Sequence, residues 1–74
     1  MFEQIKEIIA ETVSVDPEKI THGAKLSDDL GIDSLDAVEV SMAIEEAFSM
    51  AIAEEALGEF VTVEDIVKYV EANK

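Results

Sequence analysis

One hydroxyl, that of Ser34, stands among four carboxylates, Asp29, Asp33, Asp36 and Glu39, in the stretch DLGIDSLDAVE. It follows Gly31 closely and opens an apolar-periodic segment. A serine in that setting has four chemistries open to it. It can cap a helix, its oxygen accepting from backbone N–H groups while the acids complement the positive end of the helix dipole. It can be a nucleophile, but that needs a base and an orienting group. The chain's one histidine, His22, lies well upstream, and Ile32 and Asp36 stand where a G-x-S-x-G elbow requires glycines. The surrounding carboxylates also oppose an alkoxide, so Ser34 is not read as catalytic and His22 is read as an ordinary loop residue.

The third chemistry is calcium binding. Residues 28–39 span twelve positions, and Asp28 and Glu39 fit the two ends of an EF-hand loop. Leu30 and Ile32 offer no side-chain ligand at the third and fifth positions, and Asp33 replaces the turn glycine. That leaves no dedicated metal site, only loose divalent binding by the acidic cluster. In the fourth, Ser34 is a substrate. A hydroxyl at a helix start is exposed, and a phosphate attached there gains from the helix N-terminus while neighbouring acids subtract from the gain.

The elements that must position Ser34 belong to a small chain. Seventy-four residues make a single domain, 1–74, with no cysteine for a disulfide or a thiolate metal site. A disulfide-free protein suits the cytoplasm. The N-terminal stretch MFEQIKEIIAE has no basic region before its apolar residues, and the apolar runs are too short to span a bilayer. Eighteen acids against five lysines give a net charge of −13, and residues 26–67 hold twelve acids and no base. Such a surface repels nucleic acid and anionic membranes and attracts proteins that display Lys/Arg patches. Disorder is excluded by the 49% hydrophobic content.

Helical spacing of Phe2, Ile5, Ile8, Ile9 and Val13 predicts a first helix over Phe2–Val13. Asp16 and Pro17 predict a short capped turn that docks Val15 and Ile20. Residues 21–33 read as a long ordered loop anchored by Leu26, Leu30 and Ile32, with Gly31 taking a positive φ before the second helix. That helix is predicted to begin at Asp33 or Ser34 and end near Phe48. It carries one apolar stripe of Val40, Ile44, Ala47 and Phe48 and another of Leu35, Val38 and Met42, which cannot share a face. In so small a domain one stripe must be exposed, and flanked by Asp36, Glu39, Glu45 and Glu46 it looks like a docking surface. A short third helix is expected over residues 53–57, stopped by Gly58. Thr62 and Asp65 predict a capping box for the last helix, whose inner face is Val63, Ile66, Val67 and Val70. The fold class is all-α: a four-helix bundle of three main helices and one short one.

The run LGIDSLDAVEVSMAIEEAF closely resembles the modification site and second helix of acyl carrier proteins, and the likeness extends along the chain to the T-V-x-D-I start of the last helix. A bare D-S-L recurs by chance; the extended L-G-x-D-S-L-D-x-V-E followed by E-E-x-F is far more specific. The resemblance implies a non-catalytic carrier in which Ser34, flanked by Asp33 and Leu35, bears 4′-phosphopantetheine transferred from coenzyme A by a phosphopantetheinyl transferase. The terminal thiol of that arm would hold acyl chains as thioesters for the enzymes of a dissociated fatty-acid synthase, which would supply the sulfur that the chain lacks. It further implies that Leu35, Asp36, Val38, Glu39, Met42, Glu45 and Glu46 meet basic patches on partner enzymes. Val40, Ile44, Phe48, Ile52, Leu57 and Phe60 would shelter the acyl chain. The carrier is expected to be monomeric, with no metal site.

Other readings remain at this point: a carrier of a polyketide or another specialised acyl pathway, or an unmodified acidic helical protein that binds divalent cations or a basic partner. Departures from the family pattern bear on details. Ala53 stands where many relatives have proline, which frees the third helix to begin earlier or to move. The apolar residues of SMA, 49–51, favour an extension of the second helix, and the bulk of Leu57 and Phe60 bears on the shape of the acyl pocket.

Overall fold

The computed structural model describes residues 1–73. Its helices are α1 (Phe2–Val13), α2 (Ser34–Phe48), α3 (Glu54–Leu57) and α4 (Val63–Asn73), with a 3-10 turn at Pro17–Lys19. The expected all-α bundle is what forms. Ile5 and Ile9 of α1, Val40 and Ile44 of α2, and Val63, Ile66, Val67 and Val70 of α4 close one core, with Ile20 inserted from beyond the 3-10 turn. Asp16 caps that turn by accepting the Glu18 N–H at 3.0 Å, with Pro17 at its first position.

The long loop is ordered by more than the burial of Leu26, Leu30 and Ile32. It folds on itself, the Ile32 N–H donating to the Leu26 carbonyl at 2.8 Å while Gly31 takes φ 68°. It is also pinned to the segment ahead of α4. The Leu26 N–H donates to Val61 O at 2.9 Å, the Val63 N–H to Ala24 O at 3.0 Å, and the Glu64 N–H to His22 O at 3.0 Å. Lys25 and Thr62 thereby form an isolated antiparallel bridge. This seam fixes the approach to Ser34.

Two expectations about the middle of the chain are corrected. Residues 49–51 do not extend α2. Ser49 adopts the left-handed conformation at φ 53°, and the Ser49 and Met50 N–H groups both turn back to Glu45 O. The chain reverses there so that Ile52 can turn inward, which an extra helical turn would prevent. Nor does α3 start early; it begins at Glu54, with Ala53 in the capping position. Ala53 has φ −67°, the angle a proline ring would enforce, so the backbone keeps the course of an Ile-Pro link without the ring. Gly58 follows α3 at φ −68°, so the stop does not use glycine's left-handed freedom.

The capping box of α4 closes as expected, and Asp65 is long enough. The Asp65 N–H donates to Thr62 Oγ1 at 3.3 Å, while Asp65 Oδ2 accepts the Thr62 N–H at 3.0 Å and the Val61 N–H at 2.9 Å. Those backbone donors, Thr62 first and then Val61, hold the Asp65 carboxyl below the ordinary aspartate value. A lowered folded-state pKa means the unfolded chain binds the proton first. The box therefore contributes its full stability above about pH 4 and loses it as pH falls through the lowered value. At high salt, which screens the other carboxylates, Asp65→Asn should lower the Tm at neutral pH. The gap should close in acid, and a gap constant with pH would refute the charged box.

Candidate functional site: the start of the second helix

The cap of α2 is Asp33. Its Oδ1 accepts the Asp36 N–H at 2.9 Å, and Ser34 is the first helical residue. Ser34 is exposed, and its hydroxyl has no hydrogen-bond partner among the described residues. Capping is thus done by a neighbour, and the hydroxyl is free for other chemistry. The α2 N–H groups beyond it include donors without an intrahelical partner, a setting that suits a phosphate.

The two apolar stripes of α2 separate as the spacing requires. Val40 and Ile44 are buried and Phe48 is half-buried, whereas Leu35 is 69%, Met42 60% and Val38 43% exposed. Ala47, expected on the inner stripe, is exposed at the end of the helix. Asp33, Glu39 and Glu46 are exposed around that outer stripe, and Asp36 and Glu45 are half-buried.

From Ser34 a cleft of about 820 Å³ runs inward between α2, the long loop and the segment from Ile52 to Val61. Val40, Ile44, Ile52, Leu57 and Phe60 line it, as their assignment to an acyl pocket requires. Phe48 does not; it is half-buried against the core, one helical turn beyond Ile44. Ile32, Ala37, Ser41, Val61 and Ile66 also contribute, none of them assigned to the pocket from the sequence. For Ala37 and Ser41 the signal was present: Ser34, Ala37, Ser41 and Ile44 follow helical spacing, a row that runs from the hydroxyl into the interior. Ser41 can stand in that apolar row because its O–H donates to the Val38 carbonyl at 2.8 Å.

The family profile described as "Phosphopantetheine attachment site" matches residues 3–70. An acyl carrier protein of Wolinella succinogenes is 45% identical over 74 residues, all of this chain and 97% of that one. Acyl carrier proteins from two strains of Helicobacter pylori are 47% identical over all of this chain and 95% of theirs.

The chain belongs to the acyl carrier protein family. Its prosthetic group is therefore phosphopantetheine, and its role is that of a carrier, not a catalyst. The residues present fit that group: an exposed, unbonded hydroxyl at a helix N-terminus opens onto an apolar cleft. His22 is engaged elsewhere, stacked on Phe2 with ring centroids 4.0 Å apart and with Nδ1 3.4 Å from Glu64 Oε1.

In this acyl carrier protein the acids have few cationic partners. Among the described residues the contact between His22 and Glu64 is the only ion-pair geometry, and Lys6 forms none with Glu3 or Glu7. Asp29 and Asp33 are committed to backbone donors, Asp29 Oδ2 accepting the Lys25 N–H at 2.8 Å. No three carboxylate or histidine side chains among the described residues converge on a metal position. The repulsion among eighteen acids is thus largely uncompensated. Added sodium chloride or magnesium should raise the Tm by several degrees; a Tm flat across the series would refute this account. No helix among the described residues is long and apolar enough to cross a membrane.

Proposed function

We propose that Ser34 is the attachment point of 4′-phosphopantetheine and that the protein is the carrier of a dissociated fatty-acid synthase, acting as a monomer in the cytoplasm. The observation that carries the proposal is the free hydroxyl of Ser34 at the mouth of the cleft, capped over by Asp33 and not itself a cap. Asp33 and Leu35 flank the attached arm, and the first N–H groups of α2 face its phosphate. Bound there, the arm supplies the thiol on which acyl groups ride. The cleft shelters an acyl chain against Val40, Ile44, Ile52, Leu57 and Phe60, each methylene removed from water contributing about 0.8 kcal/mol.

Leu35, Val38 and Met42 form the apolar centre of a docking face, with Asp36, Glu39 and Glu46 as its acidic rim. Basic patches on a phosphopantetheinyl transferase and on synthase enzymes complement it. Charge steering onto a small apolar patch suits brief visits to many partners.

Intact mass before and after incubation with coenzyme A and a broad-specificity phosphopantetheinyl transferase tests the attachment. A gain of one phosphopantetheine mapped to Ser34 supports it, and no gain from unmodified, folded protein refutes it. Transfer onto the loaded protein by fatty-acid transacylases, compared with transfer by polyketide enzymes, tests the pathway; preference for the latter would overturn the fatty-acid assignment.

A further inference from the structure

The helix α3 is a single turn without a side-chain cap. A helix of four residues is far below the length that holds itself in water. Yet this turn and the residues around it build one wall of the cleft, through Ile52, Leu57 and Phe60. Something outside the segment must keep it in place, and two side chains do so at consecutive backbone donors. Glu45 Oε2 of α2 accepts the Ile52 N–H at 2.7 Å, and the Tyr69 hydroxyl of α4 accepts the Ala53 N–H at 3.3 Å. Tyr69 also meets the Phe60 ring edge-on at 5.5 Å, so α4 grips the wall at both of its ends.

The Glu45 contact is the shorter of the two and has a carboxylate acceptor, the stronger kind of hydrogen bond. Glu45 is half-buried and itself lines the cleft, whereas Glu46 beside it is exposed. The sequence groups both with the docking acids, and the geometry divides them.

We propose that Glu45 is a positioning residue of the cleft: its carboxylate latches Ile52, and with it the α3 wall, onto α2. Glu46 and Glu39 remain for docking. Ala53 contributes to the same arrangement, since its N–H is a donor that a proline at this position would lack. The latch is a property of the chain itself and does not depend on what Ser34 carries.

Amide hydrogen exchange on the unmodified protein tests it. In Glu45→Ala, exchange at Ile52 should rise about ten-fold or more, with Leu57 following, while Ile9 and Val70 in the core keep wild-type protection. Glu45→Gln retains an acceptor oxygen and should raise Ile52 exchange less than the alanine variant does. Glu46→Ala should leave Ile52 unchanged. Wild-type exchange at Ile52 in Glu45→Ala would overturn the latch, as would a rise shared equally by Ile9 and Val70, which marks general destabilisation. If Glu45→Ala does not fold, Glu45→Met, which keeps the length of the side chain but has no acceptor oxygen, against Glu46→Met decides: equal Ile52 exchange in those two would overturn it.

Discussion

Ser34→Ala is expected to abolish loading completely while leaving the fold untouched. The two halves of that result rest on separate observations. Loading fails because the nucleophilic oxygen is gone from the helix start: Asp33 and Asp36 are acids, and Ser41, the other serine of α2, is buried with its O–H committed to Val38 O. Ser27, an exposed serine that also lines the cleft, lies in the long loop outside the D-S-L run. The fold persists because Ser34 Oγ holds no hydrogen bond among the described residues and the side chain is exposed. Asp33 still caps the helix, and alanine is the better helix former, so stability should change by less than about 0.5 kcal/mol. Asp33→Ala supplies the contrast. It leaves the hydroxyl in place but strips the cap, at a cost of about 1 kcal/mol. Intact mass after transferase treatment and a thermal melt read both variants. A mass gain in Ser34→Ala would end the assignment of the attachment site. A large loss of stability in the same variant would return Ser34 to a structural role.

Much of this was legible in the sequence because it depends on local chemistry. The capping box of Thr62 and Asp65, the Asp16–Pro17 turn and the positive φ of Gly31 are each dictated by residue types a few positions apart, and all three form. The split of α2 into a buried and an exposed stripe follows from helical spacing, and the exposures of Leu35 and Met42 agree with it. What sequence reading missed depends on residues far apart. The seam between residues 22–26 and 61–64 carries no alternating pattern, because it is made by backbone groups whose partners lie 35 residues or more along the chain. The inward turn of Glu45 is equally invisible. A glutamate beside another glutamate reads as surface charge until the Ser49 reversal brings the Ile52 N–H to it. Phe48 stands apart from the cleft for the opposite reason. It shares a stripe with Ile44, but the stripe continues past the end of the cleft and Phe48 packs on the core instead.

Ile44→Ala and Met42→Ala should have opposite effects, although the two residues lie two positions apart on one helix. Ile44 is 1% exposed and belongs at once to the core and to the cleft wall. Its truncation removes packing that the surroundings can only partly recover, at a cost of about 2–5 kcal/mol. For a domain of this size that is a large part of a total stability of about 4–11 kcal/mol. The Tm should fall by more than about 10 °C. Met42 is 60% exposed, and its truncation should leave the melt within about 0.5 kcal/mol of wild type. Its loss should be felt in docking instead, with the kcat/KM for loading Ser34 reduced about ten-fold, as for an apolar residue at the centre of a small interface. Measured together, thermal melts and loading rates separate the two faces of α2. An unchanged Tm in Ile44→Ala would mean that the cleft wall is not the core. A Met42→Ala variant that melts early but loads normally would remove the docking face from the outer stripe. Because the proposed docking face and the cleft wall share one helix, a substitution at Val40 or Ile44 cannot report on the proposed acyl shelter without first unsettling the fold. The cleft is better probed from α3, where Leu57 is only half-buried and its loss is the smaller threat to the bundle.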